Sequence, residues 1–145
     1  MHEALRQAAD AVADPIERIA ACVEAYFRFF KTHPELVELF IQERAEFKGR
    51  RKPAYFEHRD AARGPWRQMI ADLIAAGRIR AMPVERVIDV LGDLLYGTMF
   101  TNYFAGRDKH YREQARDVLD VVFNGILTES GREGLRPAAE GSSSL

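Results

Sequence analysis

The stretch GDLLYGTMFTNYFAG, residues 92–106, has the length of a helix and carries apolar side chains on more than one side of it. At about 100° per residue, one face of the helix predicted for 84–105 carries Val87, Ile88, Leu91, Leu94, Leu95 and Met99. The opposite face begins with Arg86, Asp89 and Asp93 and ends with Tyr96, Phe100, Tyr103 and Phe104. A helix that is apolar nearly all round is covered on more than one side. Gly92 and Gly97 each cost roughly 1 kcal/mol relative to alanine, which close approach of another backbone or room for a ligand would offset.

The rest of the chain also has helical patterns. Asp14 is a good N-cap, Pro15 suits the first helical position, and Glu17 completes a capping box. No strand-like alternation and no Asn-Gly or Asp-Gly hairpin turn lies between apolar runs. We therefore expect an all-α bundle of five to six helices, with a weak helix in 1–13 and a kink or break at Gly64-Pro65 within 53–77. The last helix is expected over about 110–129, and the tail 130–145 is expected to be disordered.

Composition excludes several function classes. The chain has 145 residues, 47% hydrophobic and 30% charged, which is typical of one globular domain. A formal net charge of −1 argues against a general attraction to nucleic acid or to an anionic membrane. The single cysteine, Cys22, fits a reducing cytosol, and the first residues do not have the pattern expected of a signal peptide. We expect a cytoplasmic protein that does not enter a membrane.

The last helix repeats the excess of apolar surface, because only Glu113, Asp117, Asp120 and Asn124 form a polar face on it. Two adjacent helices with more apolar surface than a monomer covers predict a homodimer, in which the last two helices of each copy form a four-helix bundle. A larger monomeric core is the alternative. The predicted interface residues are Leu94, Gly97, Thr101, Ala115, Val118, Leu119, Val122, Gly125 and Ile126.

Polar residues among apolar ones mark a candidate pocket. Glu43 shares a helix face with phenylalanines, and burying its ionised carboxylate is costly unless it is paired. Glu43 and Arg59 could form an internal ion pair, or Arg59 could extend to solvent. Alternatively, Glu43, Arg59 and Asn102 orient a ligand in an aromatic cavity. The predicted ligand-binding residues are Phe27, Phe30, Phe40, Glu43, Phe47, Arg59, Trp66, Met69, Tyr96, Met99, Phe100, Asn102 and Tyr103.

Three segments together resemble the C-terminal ligand-binding and dimerisation domain of TetR-family transcriptional regulators. They are ADPIERIAACVEAYFRFFKTHPELVELFIQE (13–43), AAGRIRAMPVERVIDVLGDLLYGTMF (75–100) and DVLDVVFNGIL (117–127). The resemblance implies a sensor and dimerisation domain over 14–129 that encloses a small apolar or aromatic effector. It also implies that residues 1–13 are the remnant of a helix linking this domain to an N-terminal helix-turn-helix. DNA would be contacted only through that domain, which is not present in this chain. A shortened chain, a misassigned start codon and a stand-alone sensor are the open explanations.

Other chemistries find little support in the sequence. The Glu-x-x-His pairs of di-iron bundles, the His-Glu-x-x-His motif, the P-loop and the Gly-x-Gly-x-x-Gly motif are all missing. We expect no metal, no cofactor and no catalytic residues. Two alternatives to a regulator remain: a helical protein–protein interaction module without a small-molecule site, and a helical enzyme that uses Glu43.

Overall fold

A computed structural model describes residues 1–46 and 52–125, and every regular element in these ranges is a helix. The elements are α1 (His2–Asp10), α2 (Pro15–Thr32), α3 (Pro34–Glu46), α4 (Ala54–Ala61), α5 (Arg63–Ala75), α6 (Val84–Ala105) and α7 (Tyr111–Asn124). The all-α prediction is confirmed. The described chain contains seven helices rather than five or six, because the 1–13 and 53–77 segments contribute three helices together. Phe47, Ile126 and the tail 130–145 lie outside the described residues.

Helix α2 is the centre of the bundle. Asp14 caps it as predicted: its Oδ1 accepts hydrogen bonds from the backbone N–H groups of Ile16 at 2.8 Å and Glu17 at 3.1 Å. Helices α1, α3, α6 and α7 all pack against α2. Its buried residues are Ile19, Cys22, Val23, Ala25, Tyr26, Phe27 and Phe30.

The break in the 53–77 segment lies at Ala62, two residues before the predicted Gly64-Pro65. Pro65 is the third residue of α5, and a proline in the first turn of a helix removes an N–H that has no intrahelical partner. The proline therefore fits inside α5 instead of breaking it. At the other end of α5, Gly77 adopts φ +69° and the Arg78 N–H returns to the Leu73 carbonyl at 2.9 Å, closing the helix as a left-handed C-terminal residue does.

Helix α6 is 22 residues long and ends at Gly106, whose φ of +57° is left-handed. It packs against α5, α2 and α3. Within the described chain, Met99 is the one residue of α6 that is fully buried. The opposite side of α6 is exposed. Of the apolar side chains predicted on two sides of this helix, the described chain therefore covers those on one side.

Helix α7 packs against α2 and buries Gln114, Ala115 and Leu119. Two hydrogen bonds join it to α6: Asn102 Nδ2 donates to Gln114 Oε1 at 2.6 Å, and Gln114 Nε2 donates to Asn102 Oδ1 at 2.8 Å. The helix ends at Asn124, with Gly125 at φ +75°, several residues before the predicted end near 129.

Candidate ligand-binding site

A cavity of about 120 Å³ lies between α1, α2, α4, α5 and α6. Apolar side chains make up most of its wall, and the α6 residues in it share the face of the helix that turns toward α2 and α5. The cavity is lined by Met1, His2, Leu5, Cys22, Val23, Tyr26, Tyr55, Arg59, Ala62, Arg63, Trp66, Ile70, Val87, Ile88, Leu91, Gly92 and Leu95.

A ladder of three ion pairs runs along one edge of this cavity. The arginines are spaced four residues apart on α4 and α5, and their acidic partners are spaced four apart on α6 in the opposite direction. The pairs are Arg59 with Asp93, Arg63 with Asp89 and Arg67 with Glu85. Each acidic partner is well exposed to solvent, so one pair contributes about 1 kcal/mol or less. The ladder joins α4 and α5 to α6 and pairs the guanidinium groups with carboxylates at the edge of the cavity.

The inner nitrogens of two of these arginines are unsatisfied. Nε of Arg59 and Nε of Arg63 are buried and donate to no acceptor in the part of the chain that the structure describes. Asp60 Oδ1 lies 3.9 Å from Arg59 Nε and 3.8 Å from Arg63 Nε, beyond hydrogen-bond distance. An unpaired buried donor costs about 1–3 kcal/mol, and both N–H groups are closed to solvent and to the cavity.

The two tyrosines of the wall are already engaged. Their hydroxyl oxygens lie 2.9 Å apart, and Tyr26 also donates to Met99 Sδ at 3.6 Å. Burial raises the pKa of the Tyr26 phenol far above its ordinary value and raises the pKa of Tyr55 in the same direction. Both phenols therefore stay neutral, and they link α2, α4 and α6 beneath the cavity.

Cys22 lies in the wall under α1. Its Sγ donates to the Leu5 carbonyl of α1 at 3.5 Å, and burial raises the pKa of its thiol to about 11. A thiol with a raised pKa is a poor nucleophile, which agrees with the packing role expected for this residue.

The ligand-binding residues predicted from the sequence do not converge on this cavity. Arg59 and Trp66 line it. Phe27, Phe30, Met99, Asn102 and Tyr103 instead line a more polar cleft that also includes Lys31 and Lys109. Phe40, Tyr96 and Phe100 line a third cleft, where α3, α4 and α6 meet, and Met69 packs against the core.

The polar members of the predicted set have structural partners. Both carboxylate oxygens of Glu43 accept from the Ala54 N–H, at 3.0 and 3.2 Å, so Glu43 satisfies the first turn of α4. Arg59 Nη1 donates to Asp93 at 2.9 Å, and the Arg59 guanidinium also lies 4.7 Å from the ring centre of Phe56. The internal pair of Glu43 with Arg59 is therefore replaced by two separate interactions. A ligand-binding role for Glu43 or Asn102 stays a prediction.

Sequence reasoning missed Tyr26, Tyr55, Arg63 and most of the aliphatic wall. The arginines were detectable, because Arg59, Arg63 and Arg67 recur every four residues, as charged residues on one helix face do. The aliphatic residues carried no distinguishing signal, because a cavity wall and a filled core have the same periodicity.

A second surface feature lies on the open side of α6. Residues Val90, Leu94, Gly97, Thr101 and Phe104 follow one another at intervals of three or four and so share a helix face. Val90 is 57% exposed and Phe104 is 69% exposed. Helix α7 also has exposed apolar side chains, at Val121 and Phe123. We call these seven residues of α6 and α7 the outer face.

The residues predicted for the dimer interface differ in their exposure within the subunit. Gly97, Thr101 and Gly125 are exposed, and Leu94, Val118 and Val122 are half-buried. Ala115 and Leu119 are only 4% and 9% exposed, because this side of α7 packs against α2. Those two residues belong to the core of the subunit, and Val121 and Phe123 lie on the surface in their place.

Across 1–46 and 52–125, no group of three or more histidine, cysteine, aspartate and glutamate side chains is arranged to hold a metal ion. None of the helices described above has both the length and the apolar character needed to span a membrane.

Comparison with known proteins gives one informative result. A protein-family model described as "Tetracyclin repressor-like, C-terminal domain" matches residues 12–99, which is more than half of the chain and extends from the start of α2 into α6. No curated protein and no solved structure matches the chain.

Proposed function

The chain belongs to the tetracyclin repressor-like C-terminal domain family, and from that premise we propose that it is the effector-sensing and dimerising part of a cytoplasmic transcriptional regulator. The effector is a small apolar or aromatic molecule bound in the cavity between α1, α2, α4, α5 and α6. The observation that carries the proposal is a mostly apolar cavity whose wall includes a few polar side chains, among them Tyr26, Tyr55 and Arg59, which is the composition of a small-molecule site.

The size of the cavity limits what it accepts in this conformation. An apolar cavity of about 150 Å³ in another protein accommodates benzene, so a volume of about 120 Å³ suits a single ring. A larger effector requires a wall to move. In the described chain α1 is the weakest wall, because no residue of it is fully buried.

A displacement of α1 would supply a mechanism for signalling. A ligand that fits better when α1 is displaced favours the displaced arrangement, and the shift is limited by the difference between its affinities for the two arrangements. In a regulator whose DNA-binding domains are joined to α1, this displacement would change their spacing and hence their fit to DNA. Catalysis is not part of this proposal.

We propose that a second copy of the chain packs against the outer face. Gly97 supports this choice, because a glycine within a helix costs about 1 kcal/mol and a Cβ at Gly97 would meet nothing within 4 Å among the described residues. Close approach of another helix at Gly97 explains a glycine that the subunit itself does not need. The dimer buries α6 and α7 against their copies, with about 800 Å² per subunit for a stable interface.

The ligand part of the proposal is tested by filling the cavity. Ile88→Trp places a large side chain in it, whereas Leu39→Trp adds the same side chain at a position on α3 that is 54% exposed. We expect single-ring apolar compounds to raise the melting temperature of the native protein and of Leu39→Trp by several degrees, and to have no effect on Ile88→Trp. The measurement is thermal unfolding with and without each compound.

The competing function is a helical interaction module without a small-molecule site, and the exposed apolar residues of α6 and α7 are what favours it. It predicts that no single-ring compound stabilises the native protein. A monomer in sedimentation at micromolar concentration, together with no ligand-induced shift, would favour the interaction module.

A further inference from the structure

The cleft where α3, α4 and α6 meet is lined mainly by aromatic side chains, and we call it the aromatic cleft. Its volume is about 450 Å³, more than three times that of the cavity described above. Its described lining includes five aromatic residues, which are Phe40, Tyr55, Phe56, Tyr96 and Phe100. Among the described residues, Tyr55 is the one that lines both the cleft and the cavity. The aromatic cleft is therefore a separate candidate site with more room than the cavity.

The ring of Tyr96 lies at the centre of these aromatic side chains. Its ring centre is 4.7 Å from that of Tyr55, 5.0 Å from that of Phe56 and 4.8 Å from that of Phe100. The ring planes are inclined by 42° to 72°, as in the tilted and edge-to-face pairs that aromatic rings favour. Of the five residues, Tyr55 is buried and the other four are half-buried, so those four keep accessible surface. A planar aromatic ligand in the cleft would add to the same set of ring contacts.

Arg44 is the charged residue in the described lining of the aromatic cleft. It is exposed, and its side chain forms no hydrogen bond or ion pair with any described residue. Burial raises the pKa of the Tyr96 phenol, and the positive charges of Arg59 and Arg44 act on that pKa in the opposite direction. The Arg44 guanidinium therefore lies close enough to Tyr96 for its charge to act there. Because Arg59 is already paired with Asp93, Arg44 is the cation among the described residues of this region that remains available to a ligand.

The charges around the aromatic cleft favour an anion over a cation. No acidic side chain is present in its described lining, and the carboxylate of Glu43, on the same helix as Arg44, accepts from the Ala54 N–H. A cationic ligand would be repelled by Arg44 and would find no carboxylate in that lining. A carboxylate ligand, in contrast, matches the planar fork of donors that a guanidinium presents.

From these observations we propose that the aromatic cleft is a second ligand site, which binds planar aromatic carboxylates of two fused rings. The carboxylate lies at Arg44 and the rings pack against Phe56, Tyr96 and Phe100. A volume of about 450 Å³ is within the range of small-molecule sites, the aromatic lining selects a planar ligand, and Arg44 selects the negative charge. This inference goes beyond the proposed sensing function, because it concerns a different site from the cavity.

Three probes with the same arrangement of heavy atoms and different charges test the proposal: 2-naphthoate is an anion, 2-naphthamide is neutral and 2-naphthamidine is a cation. Calorimetry measures the binding of each to the full chain, as the native protein and as Arg44→Gln. Arg28→Gln is the matched control, because it also removes an exposed arginine but Arg28 lies on α2 and lines none of the three pockets described above. A second variant, Ile88→Trp, fills the cavity and leaves the lining of the aromatic cleft unchanged.

We expect the native protein to bind 2-naphthoate most tightly, 2-naphthamide less tightly and 2-naphthamidine most weakly. Arg44→Gln should weaken 2-naphthoate about fivefold, which is the upper range for an exposed ion pair, and should leave 2-naphthamide within about twofold. Arg28→Gln and Ile88→Trp should leave the affinity for 2-naphthoate unchanged. Circular dichroism and melting temperature establish that each variant is folded. If Ile88→Trp does not fold, competition between 2-naphthoate and a single-ring compound on the native protein replaces it, and no competition is expected.

Different failures have different meanings. Equal losses for 2-naphthoate and 2-naphthamide in Arg44→Gln, no loss for either, or an equal loss of 2-naphthoate in Arg28→Gln would overturn the role of Arg44. Loss of 2-naphthoate binding in Ile88→Trp would place the compound in the cavity, which overturns the second site and leaves the effector function in place. If 2-naphthoate does not bind the native protein, this inference fails, while the single-ring test of the cavity still decides the effector function separately.

Discussion

Gly92 and Gly97 are about 1.4 turns apart in α6, and their surroundings differ. A Cβ at Gly92 would lie 3.7 Å from Arg59 Cδ and from Arg59 Nη1, whereas a Cβ at Gly97 would meet nothing within 4 Å among the described residues. The first glycine belongs to the cavity wall and the second to the outer face. One helix therefore has an apolar side that is covered by its own subunit and an apolar side that is not.

This difference separates two kinds of apolar surface that the sequence presents alike. Val87, Ile88 and Leu91 are half-buried, because α5 packs over them and α1 closes the cavity beside them. Val90 and Phe104, on the same helix, have no comparable cover. Exposed apolar area of this kind stabilises a complex once it is covered, at about 25 cal/mol per Å² before the costs of association.

The largest effect is expected from a charge on the outer face. Phe104→Glu puts a carboxylate where the proposed second copy packs, and an unpaired charge in such an interface costs about 2–4 kcal/mol. The dissociation constant of the dimer should therefore be at least about thirty times higher than that of the native protein. Analytical ultracentrifugation over a concentration series measures this change.

Leu39→Glu is the control for that experiment, because Leu39 is 54% exposed but lies on α3. It should leave the dissociation constant unchanged. Equal weakening by both substitutions, or a native protein that is monomeric throughout the series, would mean that the outer face is not a dimer interface.

The reactivity of Cys22 measures how well α1 covers the cavity from solvent. Burial raises the pKa of the Cys22 thiol to about 11 from an ordinary value of 9.0, so at pH 8 its thiolate fraction is about a hundredfold lower than that of a free thiol. Alkylation by iodoacetamide should be slower by at least this factor in the native protein. It should reach the rate of a free thiol in urea, and a ligand in the cavity should slow it further.

The pH dependence of this group has a definite sign. A thiol whose pKa is raised by folding contributes stability that is fully present below pH 9 and is lost as pH rises through 11. Melting temperatures should therefore fall over that interval by more in the native protein than in Cys22→Ala, which lacks the thiol. Rapid alkylation at pH 8 without denaturant would show that α1 does not cover Cys22.

The smallest effect is expected at the two glycines, and its sign distinguishes them. Gly92→Ala places its Cβ at an ordinary contact distance from Arg59 and should raise the free energy of unfolding by about 0.5–1 kcal/mol through helix propensity. Gly97→Ala should give the same gain in a monomer but should weaken the dimer, because the added Cβ occupies the space of the approaching helix. Chemical unfolding at two protein concentrations separates the two contributions.

A Gly97→Ala variant that stabilises the protein equally at every concentration would contradict close approach of a second copy at that residue. A loss of stability in Gly92→Ala would mean that Arg59 cannot accommodate the added methyl group, although the distance from that Cβ to the nearest Arg59 atoms is 3.7 Å.

Local signals predicted the framework of the fold well. Asp14 and Pro15 mark the start of α2, and Gly106 marks the end of α6, because capping and left-handed backbone depend on a few neighbouring residues. The break between α4 and α5 was misplaced by two residues, because Pro65 is tolerated in the first turn of a helix.

The residues predicted to bind a ligand are divided among several pockets. Trp66 and Arg59 line the cavity, whereas Phe27 and Phe40 line other clefts. Helical periodicity shows that a residue faces inward and does not show which neighbour it meets there. The ladder of arginines and acids was visible in the sequence as two four-residue repeats, and pairing them would have placed α6 antiparallel to the segment of α4 and α5.

The sequence by itself determined the helical fold, its family and the excess of apolar surface on α6, since these follow from periodicity, caps and composition. Only the tertiary structure decided which side of α6 the subunit covers, that Ala115 and Leu119 belong to the core, and that Arg59 and Arg63 line one cavity with Trp66. Those outcomes depend on contacts between residues distant in the chain, and the pattern of a single helix contains no information about its neighbours.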